Sequence, residues 1–558
     1  MTRQDAASKT RWDGFVPLLM AGMLLVSCAL TSAQKPFWFD EILTYYFVTD
    51  PSLEHMLAAQ GDLINASPPL YFLLARLWTQ QFGTTELAFR LLSCAGCITG
   101  CCAIWWALRR TYGSAPAAVA SLVVLMSSRQ LLFNNAEARF YGVLFAELGL
   151  AVVLYARLCR QTRAGIGTLL ANAAVHAALV TTHYFGLFYS GIFLVANLIF
   201  YRKNPRKLIP PAASIAFGWL FFLPCLPAFF AHRQLGDEYG WLALPSVMDF
   251  VNVFTTNSDL LGFFALTVVG LEILRERYTG AATDGCHEPG SLPEDDGGLR
   301  ALLVLALCLA SLPGGIWVYS HFSTPVFLER YLWPAVVTAW CLVMSHMTWR
   351  ILTGYEFSSR KAGNGRRARL MPCVPRTVFG LLCLVSLIVP LQTHLHAPAA
   401  LREFLERFSA VPAALPNGLP VVFDDPLTFL ECKFYHDRDN RYVVVLDSES
   451  ALSPQQPRIK ASLFAIASAL QRQYSINALP VREFVDTHPS FAFVPTDRVL
   501  FDKWVKSRAE FAWVGRKSGR QHFYVVSRQT NAPPGAERTE SLTQSGALEP
   551  PRPVFFHR

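Results

Sequence analysis

The chain has 558 residues, 52% of them hydrophobic and only 16% charged, against about 25% charged in ordinary soluble domains. That composition, with a mean hydropathy of +0.30, excludes a soluble enzyme carrying a single anchor. The net charge of +9 sits in short loops between apolar runs, where it reports topology and not a nucleic-acid partner.

Arg3, Lys9 and Arg11 precede the first apolar run, 15–30, whose end Leu25-Val26-Ser27-Cys28 is similar to a lipoprotein signal peptide. The many apolar runs beyond it favour an uncleaved first span. Helices that are apolar all round and about 20 residues long cross membranes. Eleven spans are expected, near 14–31, 87–108, 114–133, 140–158, 166–182, 184–201, 208–230, 256–274, 301–320, 331–350 and 377–395. The eighth is the weakest, because Asp249, Asn252, Thr255, Thr256, Asn257, Ser258 and Asp259 crowd its start.

Where the chain leaves the first span it reads Phe37-Trp38-Phe39-Asp40-Glu41. A membrane-buried acid costs roughly 2.5–3.5 kcal/mol on insertion scales, so two adjacent carboxylates at a membrane edge point to function. The plainer reading is a helix start, since acids in a first turn suit the helix dipole, and both roles are compatible. The run Pro68 to Trp78 is apolar but short, carries Arg76 and opens with prolines; it is expected to be a helix lying in the membrane interface.

Basic residues divide sharply between the two sides. Arg109, Arg110, Arg157, Arg160, Arg163, Arg202, Lys203, Arg206, Lys207, Arg275 and Arg277 fall on the side of the N-terminus, with the run Arg360, Lys361, Arg366, Arg367 and Arg369. The opposite loops hold only Lys35, Arg76, Arg90, Arg129, Arg139, Arg233 and Arg330. The N-terminus is therefore expected in the cytoplasm. The first outer loop, 32–86, and everything after about 396 are expected outside.

The expected division is 1–396 as the transmembrane domain, with the acidic motif and interfacial helix in its first outer loop; 397–533 as a soluble α/β domain; and 534–558 as a disordered tail. In the α/β domain, Leu419 to Asp425, Arg441 to Asp447, Phe491 to Val494 and Phe523 to Val526 read as buried strands, and 401–408 and 462–475 as helices. Cys94, Cys97, Cys101 and Cys102 share one span and read as packing residues. Cys432 stands alone in the hydrophilic region, so no internal disulfide forms there. His394 and His396 are two metal ligands without a third.

Polar groups converge on the outer side. Asn134 to Tyr141, with Glu137 and Arg139, joins the third and fourth spans; Thr181 to Gly186, with His183 and Tyr184, joins the fifth and sixth; His321 to Tyr331, with Arg330, joins the ninth and tenth. Plainer readings are a cap and interface anchor for Glu137 and Arg139, a satisfied interfacial histidine for His183, and a surface pair for Glu329-Arg330. The set suits group transfer to a hydroxyl or amine. An Asp accepts the nucleophile's proton, arginines hold a phosphate, and a carboxylate favours positive charge growing at a sugar carbon. Nucleotide sugars are cytosolic, so a donor reaching an outer site is most simply carried on a lipid.

Taken in order, Phe37-Trp38-Phe39-Asp40-Glu41, Ser67-Pro68-Pro69-Leu70-Tyr71, Ala136-Glu137-Ala138-Arg139-Phe140-Tyr141, Thr182-His183-Tyr184-Phe185-Gly186 and Glu329-Arg330-Tyr331-Leu332-Trp333-Pro334 cover roughly 10 to 395. Over that stretch the chain resembles the GT-C membrane glycosyltransferases, specifically the protein O-mannosyltransferase and aminoarabinose transferase superfamily. The resemblance implies a polyprenyl-phosphate-sugar donor, an outer-face site, Asp40 as catalytic base with Glu41 beside it, and Arg139 and Arg330 on the donor phosphate. Ser67 departs from the His or Lys that many relatives carry before the Pro-Pro pair. The C-terminal domain matches no named motif.

The expectation is an α-helical multipass membrane protein of GT-C type, in the bacterial inner membrane, with a C-terminal periplasmic α/β domain. It is expected to be an inverting glycosyltransferase acting on a periplasmic glycan, lipid or protein. Asp40 and Glu41 are the candidate catalytic residues. Glu137, Arg139, Tyr141, His183, Tyr184, Arg330 and Tyr331 are the candidate substrate-binding residues. The Asp40-Glu41 pair could hold Mg²⁺ or Mn²⁺, although a lipid-donor mechanism does not require a metal. The alternatives are a transporter or flippase for a lipid-linked or anionic substrate, which would show internally repeated halves with interrupted helices, and a non-catalytic assembly protein.

Overall fold

The computed structural model describes residues 14–62, 64–239, 242–255, 260–280, 297–361, 371–396, 418–437, 439–447, 458–495, 510–518 and 521–529, with 406, 411 and 415 between them. The expected helix at 401–408 apart from residue 406, the tail at 534–558, the basic residues 3–11 and 366–369 and the side chains of His394 and His396 lie outside the described residues.

In chain order the helices are α1 (Phe15–Gln34), α2 (Phe39–Val48), α3 (Leu53–Gln60), α4 (Leu70–Phe82), α5 (Glu86–Tyr112), α6 (Ser114–Ala120), α7 (Arg129–Asn135), α8 (Tyr141–Arg160), α9 (Ile166–Thr182) and α10 (Phe185–Phe200). They continue with α11 (Pro205–Trp219), α12 (Leu226–Tyr239), α13 (Val247–Thr255), α14 (Leu260–Gly280), α15 (Gly297–Phe322), α16 (Glu329–Lys361) and α17 (Cys373–His396), then α18 (Pro426–His436), α19 (Arg458–Tyr474) and α20 (Val481–Thr487). The chain divides into two compact units. The first is Met1–Lys35, Ser67–Ala231 and Ala243–Pro398; the second is Pro36–Ala66, His232–Leu242 and Ala399–Arg558.

The first unit is helical and this is a multipass membrane protein. Among the described residues six helices are long and apolar enough to cross a membrane: Phe15–Gln34, Glu86–Tyr112, Tyr141–Arg160, Pro205–Gln234, Gly297–Phe322 and Glu329–Ser359. Two further expected spans are bent pairs. Ser114–Leu125 turns by 73° into Arg129–Asn135, and Val247–Thr255 turns by 71° at the weak eighth position. The remaining three expected spans are shorter apolar helices, Ile166–Thr182, Phe185–Phe200 and Cys373–Ile388. The first bend has a local cause. Ser127 bonds back to the Val123 carbonyl, and Ser128 caps α7 by accepting from the Leu131 N–H at 3.2 Å.

Small residues set the closest packing. Gly96 and Gly100 of α5 face Gly142, Phe145 and Gly149 of α8; a Cβ on Gly142 would lie 2.0 Å from the Ser93 carbonyl oxygen, and one on Gly96 would lie 2.4 Å from the Gly142 backbone. In lipid, where apolar burial gains little, such backbone-to-backbone approach is what holds helices together. Gly186 plays the same part at the α9–α10 corner, where a Cβ would fall 1.8 Å from the Leu179 carbonyl oxygen.

The second unit carries a six-stranded sheet of β1 (Val421–Phe423), β2 (Tyr442–Leu446), β3 (Ala478–Pro480), β4 (Ser490–Val494), β5 (Phe511–Ser518) and β6 (Gln521–Arg528), in the order β3-β2-β1-β4-β6-β5. β3, β2, β1 and β4 are parallel, with Val422 opposite both Val443 and Phe493; β6 runs antiparallel to β4 and β5. Val443, Val445, Phe484, Phe491, Phe493 and Val526 form its core. The four expected strands and the helix at 462–475 are present; β3, β5, α18 and α20 are additions. β3 is three residues long and ends on Pro480 at the sheet edge, where a proline costs no ladder bond.

The domain boundary differs from the expected one. Residues 36–66, expected within the transmembrane domain, belong to the second unit. The reason is physical: the Phe37 N–H donates to the Tyr435 hydroxyl at 2.6 Å, the Phe39 N–H to Glu431 Oε1 at 3.0 Å, and Arg472 pairs with Asp62 at 2.7 Å.

The glycine seam makes a simple test. Gly142→Ala should lower the thermal unfolding midpoint of the detergent-solubilised protein, since overpacking costs about 1–3 kcal/mol. Gly191→Ala, where a Cβ meets nothing within 4 Å, should leave it unchanged or raise it. Equal melting of Gly142→Ala and the parent would contradict the seam.

Candidate functional site

The acidic motif opens α2. Trp38, in extended conformation, is the N-cap; Asp40 and Glu41 stand in the first turn, so both carboxylates meet the positive end of the helix. Glu41 is fully buried and its Oε2 accepts from the Trp38 N–H at 3.3 Å, which gives it a backbone-capping role. Asp40 is half-buried and its carbonyl accepts from the Thr44 hydroxyl at 3.1 Å. The plain helix-start reading therefore holds for both acids, and Glu41 in addition caps the backbone; Asp40 is the less buried of the two. Among the described residues no group of three or more His, Cys, Asp or Glu side chains is placed to hold a metal ion.

In the first unit the outer-side clusters come together. Glu137 has no exposed surface, and its Oε1 forms an ion pair with Lys35. Arg90, also fully buried, donates to the Lys35 carbonyl at 2.6 Å. Sequence reading set Arg90 among loop residues; it lies inside α5 and holds the end of α1. Asn135 donates to the Leu24 carbonyl at 2.9 Å, and the Ser93 hydroxyl to the Asn134 carbonyl at 2.9 Å. The α7–α8 junction is thus fastened to α1 and α5, which fixes Arg139, Phe140 and Tyr141.

Around that junction lies an aromatic wall. Phe140 stacks on His183 with ring centroids 4.1 Å apart and an interplanar angle of 20°. His183 lies 4.9 Å from Tyr331, and Tyr141 stacks on Tyr331 at 6.3 Å. Tyr71, from α4, meets Phe140 at 6.2 Å. Arg139 sits 5.3 Å from the Phe140 centroid and Arg330 5.3 Å from that of Tyr331, close enough for cation–π attraction. The Tyr331 carbonyl accepts from the Tyr189 hydroxyl, and Gln130 donates to Glu329 at 3.0 Å, so the start of α16 is held against α7 and α10.

Burial pushes the His183 imidazole down to about 3, and the Arg139 and Arg330 cations push in the same direction. His183 is therefore neutral at physiological pH. Its Nδ1 accepts from the Phe185 N–H at 3.2 Å, which leaves the ring proton on Nε2. Next to it, the Thr182 hydroxyl donates to Glu147 at 2.7 Å and ties the end of α9 to α8.

Glu137, Arg139, Tyr141, His183, Arg330 and Tyr331 thus share one place in the first unit. Tyr184 stands at its margin, 6.5 Å from the His183 ring, and packs 5.1 Å from Phe229 and 6.2 Å from Phe222. Sequence reading missed Lys35, Arg90 and Phe140 as parts of the site. Phe140 lay inside a motif already singled out; nothing local marks the other two.

No family model and no curated protein matches the sequence. Solved structures do match. The crystal structure of ArnT from Cupriavidus metallidurans bound to undecaprenyl phosphate aligns with a TM-score of 0.56 at 13% identity, covering 94% of this chain and 100% of that one. The same protein in the apo state aligns with a TM-score of 0.55 at 14% identity, covering 93% and 98%. The fold is ArnT-like, as the ordered motifs led one to expect.

Two outcomes test the site. Breaking the buried pair by Glu137→Gln or Lys35→Met alone should destabilise the protein by about 3–5 kcal/mol, and the double variant by less than the sum of the two. Additive losses would show that the pair is not coupled. For His183, the unfolded chain takes up a proton near 6.5 and the folded one only near 3. Stability should therefore fall as pH drops from about 6.5 towards 3, and His183→Gln should remove that part of the slope in pH-resolved thermal unfolding.

Proposed function

We propose that this protein is an inverting glycosyltransferase of the bacterial inner membrane. It transfers a sugar from a polyprenyl-phosphate carrier onto a periplasmic acceptor: a glycolipid, a polysaccharide or a protein. The observation that carries the reading is the pair of arginines, Arg139 and Arg330, converging on the His183–Tyr331 wall of a fold whose ArnT counterpart was crystallised with undecaprenyl phosphate. Two guanidinium forks beside a neutral imidazole suit a phosphate monoanion or dianion with an apolar tail.

In this mechanism Arg139 and Arg330 hold the carrier phosphate and the His183 Nε2–H gives it a further donor. Phe140, Tyr141 and Tyr331 line the sugar and lipid side and exclude water. Asp40 accepts the proton of the attacking acceptor hydroxyl or amine. The acceptor's oxygen or nitrogen bonds to the anomeric carbon from the face opposite the phosphate, the bond from that carbon to the phosphate oxygen breaks, and the carrier phosphate leaves as an anion. A single base serves because that anion needs no proton to depart. The carboxylate also favours the positive charge that grows at the sugar carbon. In the chain, Asp40 follows five residues after Lys35, the partner of Glu137.

Asp40→Asn should abolish formation of the glycosylated product while expression and thermal unfolding stay as in the parent. Near-normal transfer by that variant would remove Asp40 from the mechanism. Arg139→Lys and Arg330→Lys should each weaken binding of undecaprenyl phosphate by about tenfold or more, because a lysine cannot reproduce the paired hydrogen bonds of a guanidinium. Unchanged affinity in both would move the phosphate site elsewhere.

A further inference from the structure

We propose that Glu431 and Tyr435, on α18 of the C-terminal α/β domain, are positioning residues for Asp40. The domain is thereby a working part of the transfer machinery, not an appended binding module. The inference rests on the reading of Asp40 as the base.

A helix start leaves its first N–H groups without intrahelical partners. The usual remedy is a local Ser, Thr, Asp or Asn at the N-cap. α2 has Trp38 there instead, and its entry is held from afar. The Phe37 N–H donates to the Tyr435 hydroxyl at 2.6 Å. The Trp38 N–H donates to Glu41 at 3.3 Å. The Phe39 N–H donates to Glu431 Oε1 at 3.0 Å across 392 positions of sequence. Three successive amides immediately before Asp40 are each met by a side chain, and two of the three side chains belong to α18.

The α18 face is built for this. Glu431, Phe434 and Tyr435 have i, i+3 and i+4 spacing, which places them on one side of the helix. Phe434 meets Phe37 at 6.0 Å and Tyr45 at 4.9 Å between ring centroids. Glu431, Phe37 and Phe39 are all buried, so water cannot substitute for these bonds, and a buried carboxylate without hydrogen bonds would be costly. α18 is itself fixed. Two residues separate it from β1, Pro426 stands in its first turn, and Asp425 caps it by accepting from the Thr428 N–H at 3.1 Å. The position of the Asp40 backbone is therefore referred, through α18, to the parallel sheet. A misplacement of about 1 Å in a reacting group can cost ~10²-fold in rate, so this linkage is one on which a base would depend.

The test uses the full chain in nanodiscs, plus complementation of a deletion strain. Product is measured as the lipid or glycan species that deletion removes. Binding is measured with undecaprenyl phosphate as the probe, and backbone order by hydrogen exchange. Glu431→Ala should lower product about a hundredfold and speed exchange in the peptide covering 37–44, with undecaprenyl phosphate affinity and sheet protection unchanged. Glu431→Gln, whose amide oxygen still accepts from the Phe39 N–H, should restore most of the product; a domain that merely folds would not show this split. If Glu431→Ala also loses protection in the sheet, Tyr435→Phe, which deletes one oxygen, decides: a loss of about tenfold or more supports the proposal. Product within twofold of the parent in Glu431→Ala or, in that case, Tyr435→Phe, alongside an inactive Asp40→Asn, would overturn it. An active Asp40→Asn would instead overturn the reading of Asp40 itself.

Discussion

A carboxylate with no exposed surface in a helical membrane body is costly unless a cation or hydrogen-bond donors meet it, and Glu137 has Lys35. Much of the first unit follows from that pairing. Lys35 closes α1, and its carbonyl is taken by Arg90 from inside α5; Asn135 reaches back to Leu24 of α1. Two ends and a junction far apart in sequence are thereby drawn to one point. The close approach of α5 and α8 across Gly96 and Gly142 is what lets the junction sit there. Arg139, Phe140 and Tyr141 follow immediately along the chain, and the Gly186 corner brings His183 onto the Phe140 ring.

The span-forming helices were legible because lipid demands long apolar helices with satisfied backbones, and that demand is written in composition. Segments meeting it weakly were misjudged in form. The third span is broken where Ser127-Ser128 interrupt it, and at the eighth the helices Val247–Thr255 and Leu260–Glu276 are bent by 71° to one another. The first-unit site was legible in part, since short motifs preserve local chemistry: Arg139, Tyr141, His183, Arg330 and Tyr331 gather as a set. Arg90 and Lys35 were not, because a basic residue near a span end looks the same whether it faces water or is buried against a carbonyl.

In the second unit the buried parallel strands were plain as runs such as Tyr442-Val443-Val444-Val445-Leu446. β5 and α18 were not, because an edge strand carrying Arg516 and Lys517 and a helix beginning Pro426-Leu427-Thr428 lack a strong period. Least legible was the assignment of 36–66 to this unit. It depends on Glu431 and Tyr435 accepting from two backbone amides nearly 400 positions earlier, and no local pattern reports a partner at that range. The first unit thus carries the arginine and aromatic cluster, and the second holds the acidic helix within its α/β domain.

The most direct measurement follows the carrier. The full chain is reconstituted in liposomes with polyprenyl-phosphate-linked sugar from the source membranes and with its acceptor fraction, and both lipids and acceptor are analysed by mass spectrometry. Free polyprenyl phosphate appearing in step with sugar gained by the acceptor is the predicted result. Carrier that crosses the bilayer with its sugar still attached, and no freed phosphate, would contradict the account and mark the protein as a transporter.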